Sequence, residues 1–112
     1  MEVLNPKRGE VWWVAFDPSV GSEIQKTRPA VVISNDRSNR HLDRFQVIPV
    51  TTQIDKLYPG EAFIELDDVS VKVMCNQMTT SSIRRFVKKY AVVSSGQMSD
   101  IETALKVQLG LK

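Results

Sequence analysis

A chain of 112 residues, 42% hydrophobic and 25% charged, is sized for one globular domain spanning 1–112, with a modest core that oligomerisation would supplement. Disordered and collagen-like classes do not fit this composition. The net charge is only +2, so attraction to nucleic acid would have to come from local clusters and not from a global excess.

Those clusters are Lys7-Arg8, Lys26 with Arg28, Arg37 through Arg44 with His41 among them, and Arg84-Arg85 with Lys88-Lys89. The competing reading of each is a solvated surface run. A single cysteine, Cys75, excludes an intrachain disulfide and a multi-cysteine metal site. Its neighbours Val73 and Met74 suggest a buried thiol, which suits a reducing cytosol. The start, Met1 to Lys7, has no signal-peptide apolar core, and no apolar run approaches the ~20 residues of a membrane span. A cytoplasmic protein with no membrane partner is expected.

From Gly9 to Phe16 the chain reads as a strand apolar on both faces, with Trp12 and Trp13 as core or interface residues. Asp17 to Gln25 carries Pro, Ser and Gly without periodicity, so it is expected to be a long loop, and loops of that length tend to be functional or mobile. Pro29 fixes its own φ and pushes Arg28 towards extended geometry. Ala30 to Ile33 then forms a short β-branched run that suits a strand covered on both faces. Arg28 would stand at the mouth of a packed sheet. There it would either hold a phosphate in bidentate fashion or pair with a nearby carboxylate.

Asn35 to His41 is polar and rich in turn formers and predicts a loop, followed by a third strand from Phe45 to Val50. Pro49 within it indicates an edge or a bulge. The strand ends at Thr51-Thr52-Gln53, another strand terminus carrying short polar side chains. Ala62 to Leu66 and Val71 to Cys75 predict two strands around Asp67-Asp68, and Asn76-Gln77 leaves the second. Thr79 to Ser82 is expected to cap a helical turn running through Phe86, with a last strand from Tyr90 to Ser94. Ser99-Asp100-Ile101-Glu102 matches a capping box and predicts a helix starting there, with Ile101, Ala104, Leu105 and Leu109 at helical spacing and Gly110 ending it. Short strands closed by a terminal helix point to a small, partly open β-barrel.

Counting removes several kinds of chemistry. His41 is the only histidine, so a two-histidine acid and base mechanism within one subunit is out, and its Arg-rich surroundings make it a surface or ligand-contacting residue. Asp67-Asp68 would bind a divalent cation only weakly, and no Gly-rich phosphate loop opens a helix. No metal or other cofactor is expected. What remains is cation, hydroxyl and amide chemistry at strand ends and loops: Lys26, Arg28, Thr51, Thr52 and Gln77. RNA brings its own nucleophile, the 2′-OH, so groups of this kind can serve phosphodiester cleavage by positioning that hydroxyl and stabilising charge on the phosphorane. Arg28 suits the second task.

The chain resembles the MazF/PemK family of toxin endoribonucleases over nearly its full length. The residues that carry the resemblance are Arg8-Gly9-Glu10-Val11 with Asp17-Pro18, Gly21-Ser22-Glu23, Thr27 through Ser34, Pro49-Val50-Thr51-Thr52-Gln53, and Gln77 after a strand. The resemblance implies a mainly β (α+β), SH3-like, partly open barrel with a C-terminal helix, acting as a homodimer that cuts single-stranded RNA without metal. It further implies a product with a 2′,3′-cyclic phosphate and a 5′-OH partner. By the same likeness Arg28 and Thr51 are the catalytic pair, with Thr52 the alternative if the register shifts by one. The loop of Gly21-Ser22-Glu23 borders the RNA groove, and Glu23, Gln25 and Gln77 contact base or sugar; Lys26 and Thr52 complete the RNA-binding set. A cognate antitoxin with an acidic, flexible tail would cover the groove, and any contact with DNA would come only through that complex. The segment with Arg37, Arg40, His41 and Arg44 is more basic than the resemblance leads one to expect. Two rivals remain: a gyrase-binding toxin of CcdB type, which relies on a terminal helix ending in Trp where this chain ends Leu109-Gly110-Leu111-Lys112, and a binding-only SH3-like module.

Overall fold

The apolar runs of the first three strands are unbroken because those strands are buried on both faces. In the computed structural model, which describes residues 4–112, β1 (Glu10–Ala15), β2 (Thr27–Val32) and β3 (Arg44–Thr51) pair antiparallel at the centre of the sheet. Positions 1–3 of the Met1 to Lys7 start lie outside the described residues. Successive side chains of a strand point to opposite faces. Val11, Val31, Ile48 and Val50 thus enter one core cluster, while Trp12, Val14, Ala30, Val32, Phe45 and Val47 enter a second.

The remaining strands are β4 (Glu61–Leu66), β5 (Val69–Met74), β6 (Thr79–Ser82) and β7 (Phe86–Val92). The order across the sheet is β4-β5-β3-β2-β1-β7, with β6 also paired to β3. The outer strands of that order, β4 and β7, are not paired with each other, so the curled sheet is a partly open barrel, as expected. Asp67 and Asp68, both at positive φ (49° and 64°), make the two-residue hairpin turn between β4 and β5. Cys75 is buried as expected, and burial, helped by the Glu61 carboxylate, pushes its thiol up to about 11.

Four local expectations are corrected. Pro49 lies neither on an edge strand nor in a bulge of the β2/β3 pairing: it is fully buried and in regular register opposite Ala30. β3 pairs with β6 over Arg44–Val47 and with β5 at Val50 and Thr51, so proline, which has no N–H to donate, occupies the stretch where β3 changes partner on that side. The segment after Ser34 is a short helix, α1 (Asp36–His41), because Asn35 caps it by accepting from the Ser38 N–H and buried Asn39 bonds to Ser34. Thr79 to Ser82 is a strand, with only Ile83–Arg85 forming the turn that Ser82 caps, and β7 starts at Phe86.

The C-terminal helix α2 (Ser95–Leu109) begins four residues before the Ser99 box. Ser94 and Gln97 form a capping box with the same pattern, and theirs is the one used: Ser94 Oγ accepts from the Gln97 N–H at 3.1 Å and Gln97 Oε1 accepts from the Ser94 N–H at 2.8 Å. Tertiary contacts favour the earlier start, since Gln97 also donates to the Glu65 carbonyl at 2.8 Å and Met98 packs on the core. Glu102 is thereby free to pair with Arg8. Gly110 ends the helix at φ 69°, as expected. Gly60 lets α2 approach the sheet, for at φ +86° a Cβ there would stand 3.0 Å from Gln108 Cβ.

Glu10 ties the start of β1 to β7. Its carboxylate accepts from the Lys7 N–H (2.8 Å) and the Trp12 indole (3.0 Å) and pairs with Lys89 (3.0 Å). Burial alone would raise its pKa, but the bonds from Trp12, Lys89 and Lys7 together outweigh burial and hold it below the usual 4.5. A carboxyl depressed on folding contributes stability above its unfolded pKa and loses it as pH falls through the folded value. Glu10→Gln should therefore lower stability by about 2 kcal/mol near neutrality, and urea titrations should show this difference shrinking as the pH is taken below 4.5.

Candidate functional site

Because β2 and β3 run antiparallel, Arg28, just ahead of the buried run of β2, and Thr51, the last residue of β3, lie at the same end of the strand pair. Both are half-buried, and Thr52 beyond them is exposed. All three line two adjoining clefts. One, of about 280 Å³, is walled by Trp13, Pro29, Val50 and Tyr90; the other, of about 370 Å³, is walled by Ile24, Lys56, Tyr58 and Lys72. The ridge between the two clefts therefore carries a guanidinium and two hydroxyls.

Arg28 Nε donates to the Gln25 carbonyl at 3.3 Å, and this bond leaves the two terminal nitrogens of the guanidinium to other partners. Ion pairs among the described residues join Arg8 to Glu102, Arg44 to Asp43, Lys72 to Glu61 and Lys89 to Glu10, and Arg28 is in none of them. The surface-pair alternative for Arg28 is thus not realised. Thr51 Oγ1 accepts from the Gln53 N–H at 3.2 Å, so its hydroxyl proton remains available to donate.

Glu23 and Gln77 line a third cleft of about 340 Å³, which shares Ile24 with the second. Gln77 Oε1 accepts from the Ile24 N–H at 3.3 Å and thereby ties the long loop to the 3-10 turn Cys75–Gln77. The Glu23 carboxylate turns back on its own loop and accepts from the Val20 N–H at 2.7 Å. Gln25 and Lys26 are exposed and line none of these three clefts. Lys26 closes the neck of the loop at φ 66°: its N–H donates to Asp17 Oδ1 (3.0 Å) and its carbonyl accepts from Phe16 (2.8 Å). Arg85 bonds the Ala15 and Asp17 carbonyls from the other side. The loop is long but anchored at its base. Exposed His41 ends α1 and, like Arg37, Arg40 and Arg44, lines none of the three clefts. Among the described residues no group of three or more His, Cys, Asp and Glu is placed to hold a metal ion.

The sequence matches a known family. The profile for the PemK-like, MazF-like toxin of type II toxin-antitoxin systems matches residues 7–109. The chain belongs to that family. It is 35% identical to the endoribonuclease MazF9 of Mycobacterium tuberculosis over 94% of this chain and 97% of that one. In structure it is similar to MazF of Deinococcus radiodurans, with a TM-score of 0.86 and 26% identity, covering 97% of this chain and 100% of the other. A mycobacterial endoribonuclease in complex with its cognate antitoxin shares the fold at a TM-score of 0.81 and 23% identity, covering 96% and 97% of the two chains.

Sequence reasoning about this MazF-like toxin missed Lys72. A lysine in Val71-Lys72-Val73 reads as the solvent face of a strand, yet Lys72 is 9% exposed and sits opposite Thr51 in the β3/β5 register. Its ammonium lies 3.4 Å from Glu61 Oε2, donates to the Lys56 carbonyl at 3.1 Å and stands 5.7 Å from the centre of the Tyr58 ring. Glu61 in turn accepts from the Tyr58 N–H at 2.8 Å. The pair thus fastens the loop between β3 and β4, a wall of the second cleft, onto β5. Its sequence signal was the charge inside an apolar alternation, legible only once Glu61 is known to face it. Removing one member of a buried pair strands the other. Lys72→Met should cost about 3 kcal/mol in urea denaturation, and Lys72→Met with Glu61→Leu should recover much of that loss.

Proposed function

We propose that this MazF-like toxin is a sequence-selective endoribonuclease that cuts single-stranded RNA without a metal, with Arg28 and Thr51 as its catalytic pair. The observation that carries the reading is that Arg28, in no ion pair among the described residues, shares the walls of two adjoining clefts with Thr51. The MazF9 and Deinococcus relatives support the activity.

In this reading the RNA 2′-OH attacks its own phosphorus in line as the P–O5′ bond breaks, leaving a 2′,3′-cyclic phosphate and a 5′-OH. The developing phosphorane is more negative at its oxygens than the ground-state diester. A guanidinium already oriented by Gln25 stabilises that charge without reorganising, and a half-buried cleft weakens the competition from water. The Thr51 hydroxyl, its lone pair engaged by the Gln53 N–H, donates to a phosphoryl oxygen. Thr52 and Lys26 add contacts to the strand, while Glu23 and Gln77 in the third cleft, and Gln25 from the exposed loop outside it, meet bases or sugars, whose edges single-stranded RNA exposes.

The toxin acts as a homodimer in the cytoplasm, restrained by a cognate antitoxin. MazE–MazF complexes of Deinococcus radiodurans, at 26% identity and a TM-score of 0.78, support that partner. An acidic, flexible tail would find complementary charge at Lys26, Arg28 and Lys56. The family match disfavours the CcdB-like and adaptor readings.

Arg28→Ala and Thr51→Val should keep the wild-type circular dichroism spectrum and melting temperature, yet lose about 100- to 1,000-fold in cleavage of long single-stranded RNA in EDTA. Thr52→Val should lose less. Full activity in folded Arg28→Ala ends the assignment.

A further inference from the structure

The 280 Å³ cleft is more apolar than the 370 Å³ cleft that adjoins it. Its depth is apolar, with Val50 and Val71 buried and part of the inner core cluster. Its wall is an aromatic pair, Trp13 and Tyr90, whose ring centres are 5.7 Å apart at an interplanar angle of 39°. Both rings are half-buried, which leaves part of each open to the cleft. Thr27, Thr51 and Thr52 contribute hydroxyls to its lining, and Arg28 joins it to the adjoining cleft.

The aromatic wall is built by an irregularity in the sheet. In the β1/β7 pairing Val11 faces Ala91 and Trp12 faces Lys89, so Tyr90 is an extra residue in a bulge. A bulge re-aims the side chain it carries. Here Tyr90 lies against Trp13, although Trp13 itself is registered with Lys88. The second indole, Trp12, is 6% exposed and bonded to Glu10, on the other face of the sheet. The two tryptophans therefore have separate surroundings.

We propose that the Trp13–Tyr90 cleft is a stacking subsite for one unpaired nucleobase of the RNA, the base of a nucleotide bordering the cleaved linkage. This inference rests on the nuclease reading above. The cleft volume falls just below the range of whole-ligand pockets, which begins at about 300 Å³, and suits one planar ring system better than a folded nucleotide. A base inserted between the two rings would need about 7 Å, twice a van der Waals contact, so at 5.7 Å the base lies against the aromatic wall and not between its members. With the base there, its sugar meets the threonine hydroxyls and its phosphate reaches Arg28, which lines this cleft and the next. Aromatic stacking accepts any base, whereas the hydroxyls around it can read edges, so the subsite grips the strand and leaves finer selection to polar contacts.

The test uses Trp12→Phe, in which Trp13 is the sole indole, titrated with short single-stranded oligonucleotides of mixed sequence carrying 2′-O-methyl groups in place of the attacking hydroxyl. Saturable quenching of Trp13 fluorescence is expected, and one abasic position in the oligonucleotide should abolish it. In the otherwise wild-type chain, Trp13→Leu and, separately, Tyr90→Leu should weaken binding roughly ten-fold, while Trp13→Phe should retain most of it. Wild-type RNA affinity in both folded leucine variants overturns the stacking subsite and leaves the nuclease assignment standing. Quenching by an acidic peptide but not by RNA gives the cleft to a protein side chain and also overturns it. A wild-type chain that neither binds nor cuts RNA overturns both readings.

Discussion

Burial of β1, β2 and β3 on both faces is the constraint on which the rest depends. A slip by one residue turns every side chain of a strand to the opposite face, and here it would exchange the contents of two packed clusters. Ala30, Val31, Val32, Val47 and Ile48 have essentially no exposed surface. Arg28 is two residues from the first of these and Thr51 one residue beyond buried Val50, so both are placed by side chains that have no freedom to move. A polar group at the end of such a run is held by the core without lying inside it.

The loops around this frame gain their order from a few bonds to backbone groups. Lys26 and Arg85 close the neck of the loop between β1 and β2, and the buried Lys72–Glu61 pair fastens the loop between β3 and β4. Both loops are tied down at their bases, and those ties hold the walls of the clefts in place. The ridge bearing Arg28, Thr51 and Thr52 thus stands between fastened walls.

Legibility followed how local each signal was. Asp67-Asp68, Gly110 and the buried Cys75 were readable because a turn, a helix end and an apolar neighbourhood are properties of a few adjacent residues. The start of α2 was not. Ser94 and Ser99 carry equivalent capping patterns, and the choice was made by Gln97 reaching the Glu65 carbonyl and by Met98 reaching the core. Asn35 to His41 looked like a loop because its caps are polar residues that also favour turns, and it became a helix through Asn39 bonding back to Ser34. Pro49 looked like an edge because the change of partner along β3 is invisible in one strand's sequence.

The order of residues alone determined that the chain is mainly β and closed by a helix, that Arg28 and Thr51 stand at strand ends, and that one subunit has no second histidine to pair with His41, since these follow from periodicity, proline geometry and counting. Tertiary structure alone decided that Arg28 and Thr51 share clefts, that Lys72 is buried against Glu61, and that a bulge brings Tyr90 beside Trp13. The physical reason is separation along the chain: such contacts depend on strand register and sheet curvature, which arise from the packing of segments that are distant in sequence.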